Sequence, residues 1–140
     1  MDYDPTLPWK DIRDGGFNSH IGPLKYARGP DCWYCALLLD ERHINFGGVC
    51  HGGVCMSLAD VCMGIGAHSS LDRAPCATID FNAHLLAGAK RGQWLIGRSR
   101  LNRAVSGVVF MECDLWAGGR MVMRATGIWK ALRKPYGPPA

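Results

Sequence analysis

The chain has 140 residues, enough for one hydrophobic core and too few for two independent ones. With 48% hydrophobic and 20% charged residues, it is too apolar to be intrinsically disordered. A net charge of +4, without a run of Lys or Arg, argues against a nucleic-acid partner and is compatible with small anions, phosphates included.

From Met1 to Asp31 the sequence is rich in Pro, Gly and Asp and shows little periodicity, which predicts an irregular or partly helical N-terminal arm. Residues Met1 to Lys10 carry neither the basic nor the apolar stretch of an export signal, so the protein is expected in the cytoplasm. The seven cysteines (Cys32, Cys35, Cys50, Cys55, Cys62, Cys76 and Cys113) then read as reduced thiols packed as small hydrophobes. A strand is expected over Cys32–Asp40, which would turn Cys32 and Cys35 to opposite faces. No second Cys-x-x-Cys follows to join Cys50, His51 and Cys55 in a zinc site, so no metal is expected.

A helix is predicted from about Gly52 to Ser69. Val54, Leu58, Val61 and Ile65 fall on one stripe, flanked by Cys55, Ala59, Cys62 and Gly66. The reverse face carries Gly53, Met56, Ser57, Asp60, Gly64 and Ala67. Such a helix should be buried; a membrane span is excluded by its shortness, its glycines and its central aspartate. Strands follow at Cys76–Leu85, Gln93–Asn102, Val108–Trp116 and Arg120–Leu132. In the first, Ala77, Ile79, Phe81, Ala83 and Leu85 share one face by alternation, with Thr78, Asp80, Asn82 and His84 on the other. The last three form a meander. Pairing Asn102 with Val108, and closing the next hairpin with a three-residue loop at Ala117-Gly118-Gly119, sets Arg98 and Arg124 opposite Glu112 as a solvated charge ladder. The domain is expected to span 17–132, overlapping the arm (1–31), with a tail at 133–140 that is loose from Gly137 to Ala140.

Between Ile44 and Leu71 the only formally charged side chain is Asp60. A carboxylate in such surroundings costs several kcal/mol unless it is hydrogen-bonded, to Ser57 for example, or used. Just before the helix stands Asn45-Phe46-Gly47-Gly48-Val49-Cys50-His51-Gly52-Gly53. Glycines there let a ligand approach the backbone, and the first helical turn has N–H donors without intrahelical acceptors. His51 as a cap and Asn45 as a loop former are the plain readings. Together with a carboxylate deeper in the helix, they supply an oxyanion site, polar clamps and a base, which suits hydrolysis of an activated acyl group. No Gly-x-Ser-x-Gly elbow is present.

The stretch from Asn45 to Asp60 resembles the signature of hot-dog-fold acyl-CoA thioesterases, specifically the phenylacetic-acid-degradation (PaaI-like) branch. The resemblance implies an α+β fold in which a curled antiparallel sheet of five to six strands wraps one long central helix. It implies a homodimer with active sites at the interface, often paired again into a tetramer. Asn45, His51 and Gly52 would come from one subunit and Asp60 from the other. The Gly52 N–H would polarise the thioester carbonyl while Asn45 and His51 steady the thioester. Asp60 would act as general base or as nucleophile, and Thr78 falls where relatives carry a hydroxyl. Gly53, Met56, Gly64 and Arg103 are the expected substrate-binding residues, with Arg103 for phosphates. The substrate would be a medium-chain or aryl acyl-CoA, and no cofactor is implied beyond the CoA of that substrate. Two other readings share this fold: an enoyl-CoA hydratase or dehydratase, whose acid/base spacing is missing, and a non-catalytic acyl-CoA binding module, for which a retained Asp60 has no use.

Overall fold

Glycine-spaced apolar residues from position 52 onward form one long helix, and the rest of the chain curls a sheet about it. The computed structural model describes residues 1–133; the tail expected from Gly137 to Ala140 lies outside the described residues. In chain order the elements are β1 (Lys10–Asp11), the short helix α1 (Phe17–Ile21), β2 (Leu24–Arg28), β3 (Trp33–Leu38), the central helix α2 (Gly52–Ser70), β4 (Cys76–Leu85), β5 (Trp94–Val105), β6 (Val108–Ala117) and β7 (Arg120–Ala131). All strands pair antiparallel in one sheet, ordered β1-β2-β3-β5-β6-β7-β4. This is the hot-dog arrangement that the resemblance implies.

The sheet has seven strands because the arm supplies β1 and β2. Leu24-Lys25-Tyr26-Ala27-Arg28 shows no clean alternation, yet it pairs along β3 from Leu24↔Leu37 to Arg28↔Trp33 and buries Leu24 and Ala27. Pairing partners supplied by the fold, rather than local pattern, make this segment a strand.

α2 buries Cys55, Leu58, Ala59, Cys62, Met63, Gly66 and Ala67 against Leu37, Leu95, Met111, Leu115 and Met123 of the sheet. Ala67 therefore belongs to the core side, in line with Ala59 and Met63 at four-residue steps, and not to the reverse face. The opposite side, with Met56, Ser57, Asp60 and Gly64, is only partly covered in a single chain. Cys35 points into the core, whereas Cys32 precedes β3 and packs under Gly29, so the two thiols are separated. Burial pushes the Cys35 and Cys113 thiols up, keeping them neutral.

The meander forms, but its register is not the expected one. Ser106-Gly107 is a two-residue turn with φ of +51° and +75°, pairing Val105 with Val108, and a bulge lies between Leu101 and Arg103. Gly118-Gly119 is likewise a two-residue turn, with φ of +56° and +72°, and its bulge lies at Leu115/Trp116. The ladder on the outer face survives with other rungs. Arg100 binds Glu112 (2.6 Å and 2.9 Å), Arg124 binds Asp114 (2.7 Å and 3.1 Å), and Arg98 lies opposite Asp114 and over the Trp116 ring. Loop length cannot reveal bulges further along the strands, which is why charge matching alone misplaced the pairs.

On β7, Gly127 lies under the Trp129 ring: a Cβ there would come within 2.6 Å of the ring and 3.1 Å of the Asp80 carbonyl oxygen. Neither obstacle is a flexible chain end. Gly127→Ala should therefore destabilise the fold by about 1–3 kcal/mol, read as a lowered urea-unfolding midpoint.

Candidate active site

The segment before α2 is tied down by its own polar groups. Asn45 Oδ1 accepts hydrogen bonds from the N–H groups of Gly47 (2.8 Å) and Val49 (3.3 Å), and Gly48 takes φ +80°. The Cys50 N–H donates to Ala89 O and the His51 N–H to His43 O. At the helix start, His51 Nδ1 accepts from the Gly53 N–H at 2.9 Å, which makes His51 the N-cap. In the neutral ring the proton is then on Nε2, a donor on an exposed side chain. The Val54 and Cys55 N–H groups both reach His51 O. Of the first-turn donors this leaves the Gly52 N–H without an acceptor inside the helix. Gly53 belongs to the cap, since a Cβ there would stand 3.0 Å from His51 Nδ1.

Asp60 is eight positions beyond Gly52, about 12 Å along the helix axis. It is partly buried in the single chain, and it opens onto two cavities. Its Oδ1 accepts a 2.8 Å hydrogen bond from Thr78 Oγ1, while Ser57 Oγ donates back to Gly53 O and not to Asp60. Thr78 reaches Asp60 through a break in alternation. β4 pairs Thr78 with Trp129 and then Asp80 with Ile128, so Ile79 is an extra residue bulged out of the ladder. The bulge turns Thr78 onto the helix-facing side with Phe81 and Ala83 and leaves Ile79 exposed, correcting the faces expected from strict alternation.

The larger cavity, a cleft of about 1120 Å³, runs between the arm and β4 past Asp60, Gly64, His68, Thr78 and Trp129. The smaller, of about 260 Å³, is bounded by Phe17, Met56, Val61 and Phe81, with Asn18, Ser57 and Asp60 at its edge. Met56 and Gly64 thus stand on opposite sides of Asp60, in different compartments. Arg103 borders neither: it pairs with Phe110 and is exposed on the outer face of the sheet. The basic residues that do line the cleft are Lys10, Arg13, Arg28 and Arg73, with Arg28 bonded to Ser69 Oγ (3.2 Å) and lying over the Trp33 ring. Scattered at four places in the chain, they carry no local signal; only the fold gathers them. Among the described residues, no group of three His, Cys, Asp or Glu side chains is placed to hold a metal ion, and no helix is long and apolar enough to cross a membrane.

One chain cannot bring the Gly52 N–H and Asp60 to the same atom, because a rigid helix holds them apart. The uncovered surface near both is apolar. Phe46, beside Asn45, is fully exposed, and Ile79, Leu85 and Leu86 are each more than half exposed in or just after the end strand β4, which among the described residues pairs only with β7.

Residues 47–124, more than half of the chain, match the sequence model of the thioesterase superfamily. A curated protein of Pseudomonas aeruginosa, named "Putative esterase PA0474", is 34% identical over 95 residues, covering 67% of this chain and 71% of that protein. The crystal structure of the TT0310 protein from Thermus thermophilus is similar in fold, with a TM-score of 0.77 and 21% identity, over 86% of this chain and 100% of that one. A point mutant of the phenylacetic acid degradation protein PaaI from the same organism has a TM-score of 0.74 at 19% identity, over 82% of this chain and 97% of that one.

Loss of the His51 cap should be visible in stability alone. His51→Ala should cost about 1 kcal/mol in denaturant unfolding, whereas His51→Asn, which also caps, should recover most of it.

Proposed function

The chain belongs to the thioesterase superfamily and is a thioester hydrolase; we propose that its substrates are medium-chain or aryl acyl-CoA thioesters, which it cleaves to the free acid and CoA. The reading is carried by the Asp60 carboxylate, which is held on one oxygen by Thr78 and opens onto two cavities, with no charged partner among the described residues. Seven free thiols among the described residues are in keeping with a cytoplasmic setting.

The substrate carbonyl oxygen lies against the Gly52 N–H, where an unclaimed donor and the positive end of the helix dipole stabilise the alkoxide that forms. Asn45, whose Nδ2 has no partner among the described residues, and the His51 Nε2–H steady the thioester and its sulfur. In the general-base route Asp60 takes a proton from water as the water oxygen bonds to the carbonyl carbon. The tetrahedral adduct then collapses, the C–S bond breaks, and the departing thiolate takes up the proton. In the nucleophile route an Asp60 oxygen makes that bond first and the C–S bond breaks, giving an acyl–Asp60 anhydride and the thiolate. Water then hydrolyses the anhydride to the free acid and the Asp60 carboxylate, and a proton released from that water passes to the thiolate. Either way Thr78 holds the carboxylate in line. Because about 12 Å separates the two halves within one helix, the reading requires a second copy: Asp60 of one protomer working with Asn45, His51 and Gly52 of its partner. The free edge of β4 and its exposed apolar side chains support a dimer built by extending the sheet, and two such dimers would form a tetramer.

Asp60→Asn keeps the shape and removes the base, so it should lower thiol release from acyl-CoA about 100-fold or more, with the unfolding midpoint retained. Retained turnover would make Asp60 structural, and tight acyl-CoA binding by the wild type with no thiol released would make the protein a binding module. Asn45→Ala and Asp60→Ala proteins, each inactive alone, should regain activity when unfolded together and refolded as mixed dimers, since half of the hybrid's sites keep both residues. Silent heterodimers, verified by mass, would overturn the shared site.

A further inference from the structure

We infer that Phe17, on the short helix α1, is the end wall of the acyl pocket and limits the size of the acyl group, an inference that rests on the thioesterase reading of Asp60. None of the five residues of α1 is fully buried; Ile21 at its far end packs against the core, whereas Phe17 at its start is 62% exposed. Yet the helix is held at both ends. In front, the Asp14 carboxylate accepts from the Gly16 N–H (3.0 Å), the Ser19 hydroxyl (3.1 Å) and Asn18 Nδ2 (2.7 Å). Behind, Arg42 donates to the carbonyls of His20 (2.8 Å) and Gly22 (2.7 Å), and His43 Nε2 donates to Ile21 O (2.6 Å). Holding the exposed Phe17 ring in place costs conformational entropy that its own packing in the single chain returns only in small part.

What Phe17 does border is the 260 Å³ compartment, where it faces Met56, Val61 and Phe81 with Asp60 at the edge. The compartment is an open groove, and its 260 Å³ exceeds the roughly 150 Å³ that admits benzene to an apolar cavity, so a ring or a short chain fits in it. A thioester carbon at Asp60 has two ways to place its substituents. The small compartment is mainly apolar, with Asn18, Ser57 and Asp60 its polar members; the larger, 1120 Å³ cleft carries Arg28, Arg73 and His68 alongside Asp11 and Asp14. The acyl group belongs in the first and the long, anionic carrier in the second, with Phe17 as the far boundary of the acyl side.

The test is kcat/KM for thiol release across a series of straight-chain acyl-CoA thioesters, for the wild type, Phe17→Ala, Phe17→Trp and Gly64→Val. Phe17→Ala should raise the ratio of long-chain to short-chain kcat/KM about 10-fold or more, and Phe17→Trp should lower it. An unchanged chain-length profile in both Phe17 variants overturns the inference. So does a profile that responds to Gly64→Val alone, which would put the acyl chain in the larger cleft. Loss of the wild-type assembly state in Phe17→Ala, measured by light scattering, would make Phe17 an interface residue and also overturn it. Absence of thiol release by the wild type from every thioester is a different failure, one that removes the thioesterase reading itself.

Discussion

In the proposed reaction one rigid helix carries both groups, an open amide and a carboxylate, and keeps them apart. The unclaimed amide of Gly52 opens α2, and the carboxylate of Asp60 follows about two turns later, with the intervening backbone fixed by its own hydrogen bonds. No side-chain rotation closes that distance. Local structure fixes both positions: the Asn45 loop and the His51 cap hold the backbone at the start of α2, while Thr78 on the bulged β4 holds the carboxylate.

The sheet makes this helix rigid and also leaves part of it bare. Curling round α2, it packs the Cys55–Leu58–Cys62–Gly66 side so closely that a Cβ at Gly66 would stand 2.5 Å from Met111 Cε. The Met56–Asp60–Gly64 side faces the gap between the arm and β4 instead, and the two cavities occupy that gap. Packing and openness are thus two consequences of one wrapping, and the division between them runs along the length of a single helix.

Much of this was legible in the sequence because it is written locally. The strands from β3 onward, the span of α2, the capping histidine and the isolated Asp60 all rest on alternation, helical spacing or charge within a short window. β2 was not legible, since Leu24–Arg28 is a strand only by pairing with β3. The bulges at Ile79, Leu101/Arg103 and Leu115/Trp116 were hidden as well, because nothing in a strand's own residues marks where its ladder skips. That omission turned Thr78 to the wrong face, whereas the structure sets its hydroxyl 2.8 Å from the Asp60 carboxylate. Lys10, Arg13, Arg28 and Arg73 share a cleft only through the tertiary fold, and Arg103, chosen for its place beside a turn, faces away from it.

The border strand β4 and the bare side chains of Phe46, Ile79, Leu85 and Leu86 have one more implication. Unsatisfied backbone and greasy surface on a solitary molecule are adhesive towards any similar surface, including those that lead to precipitates. If self-association is what hides them, staying dispersed in a crowded cell and performing the reaction become one requirement, imposed on the same handful of positions. Natural variation there would then be curbed twice, first by solubility and second by turnover.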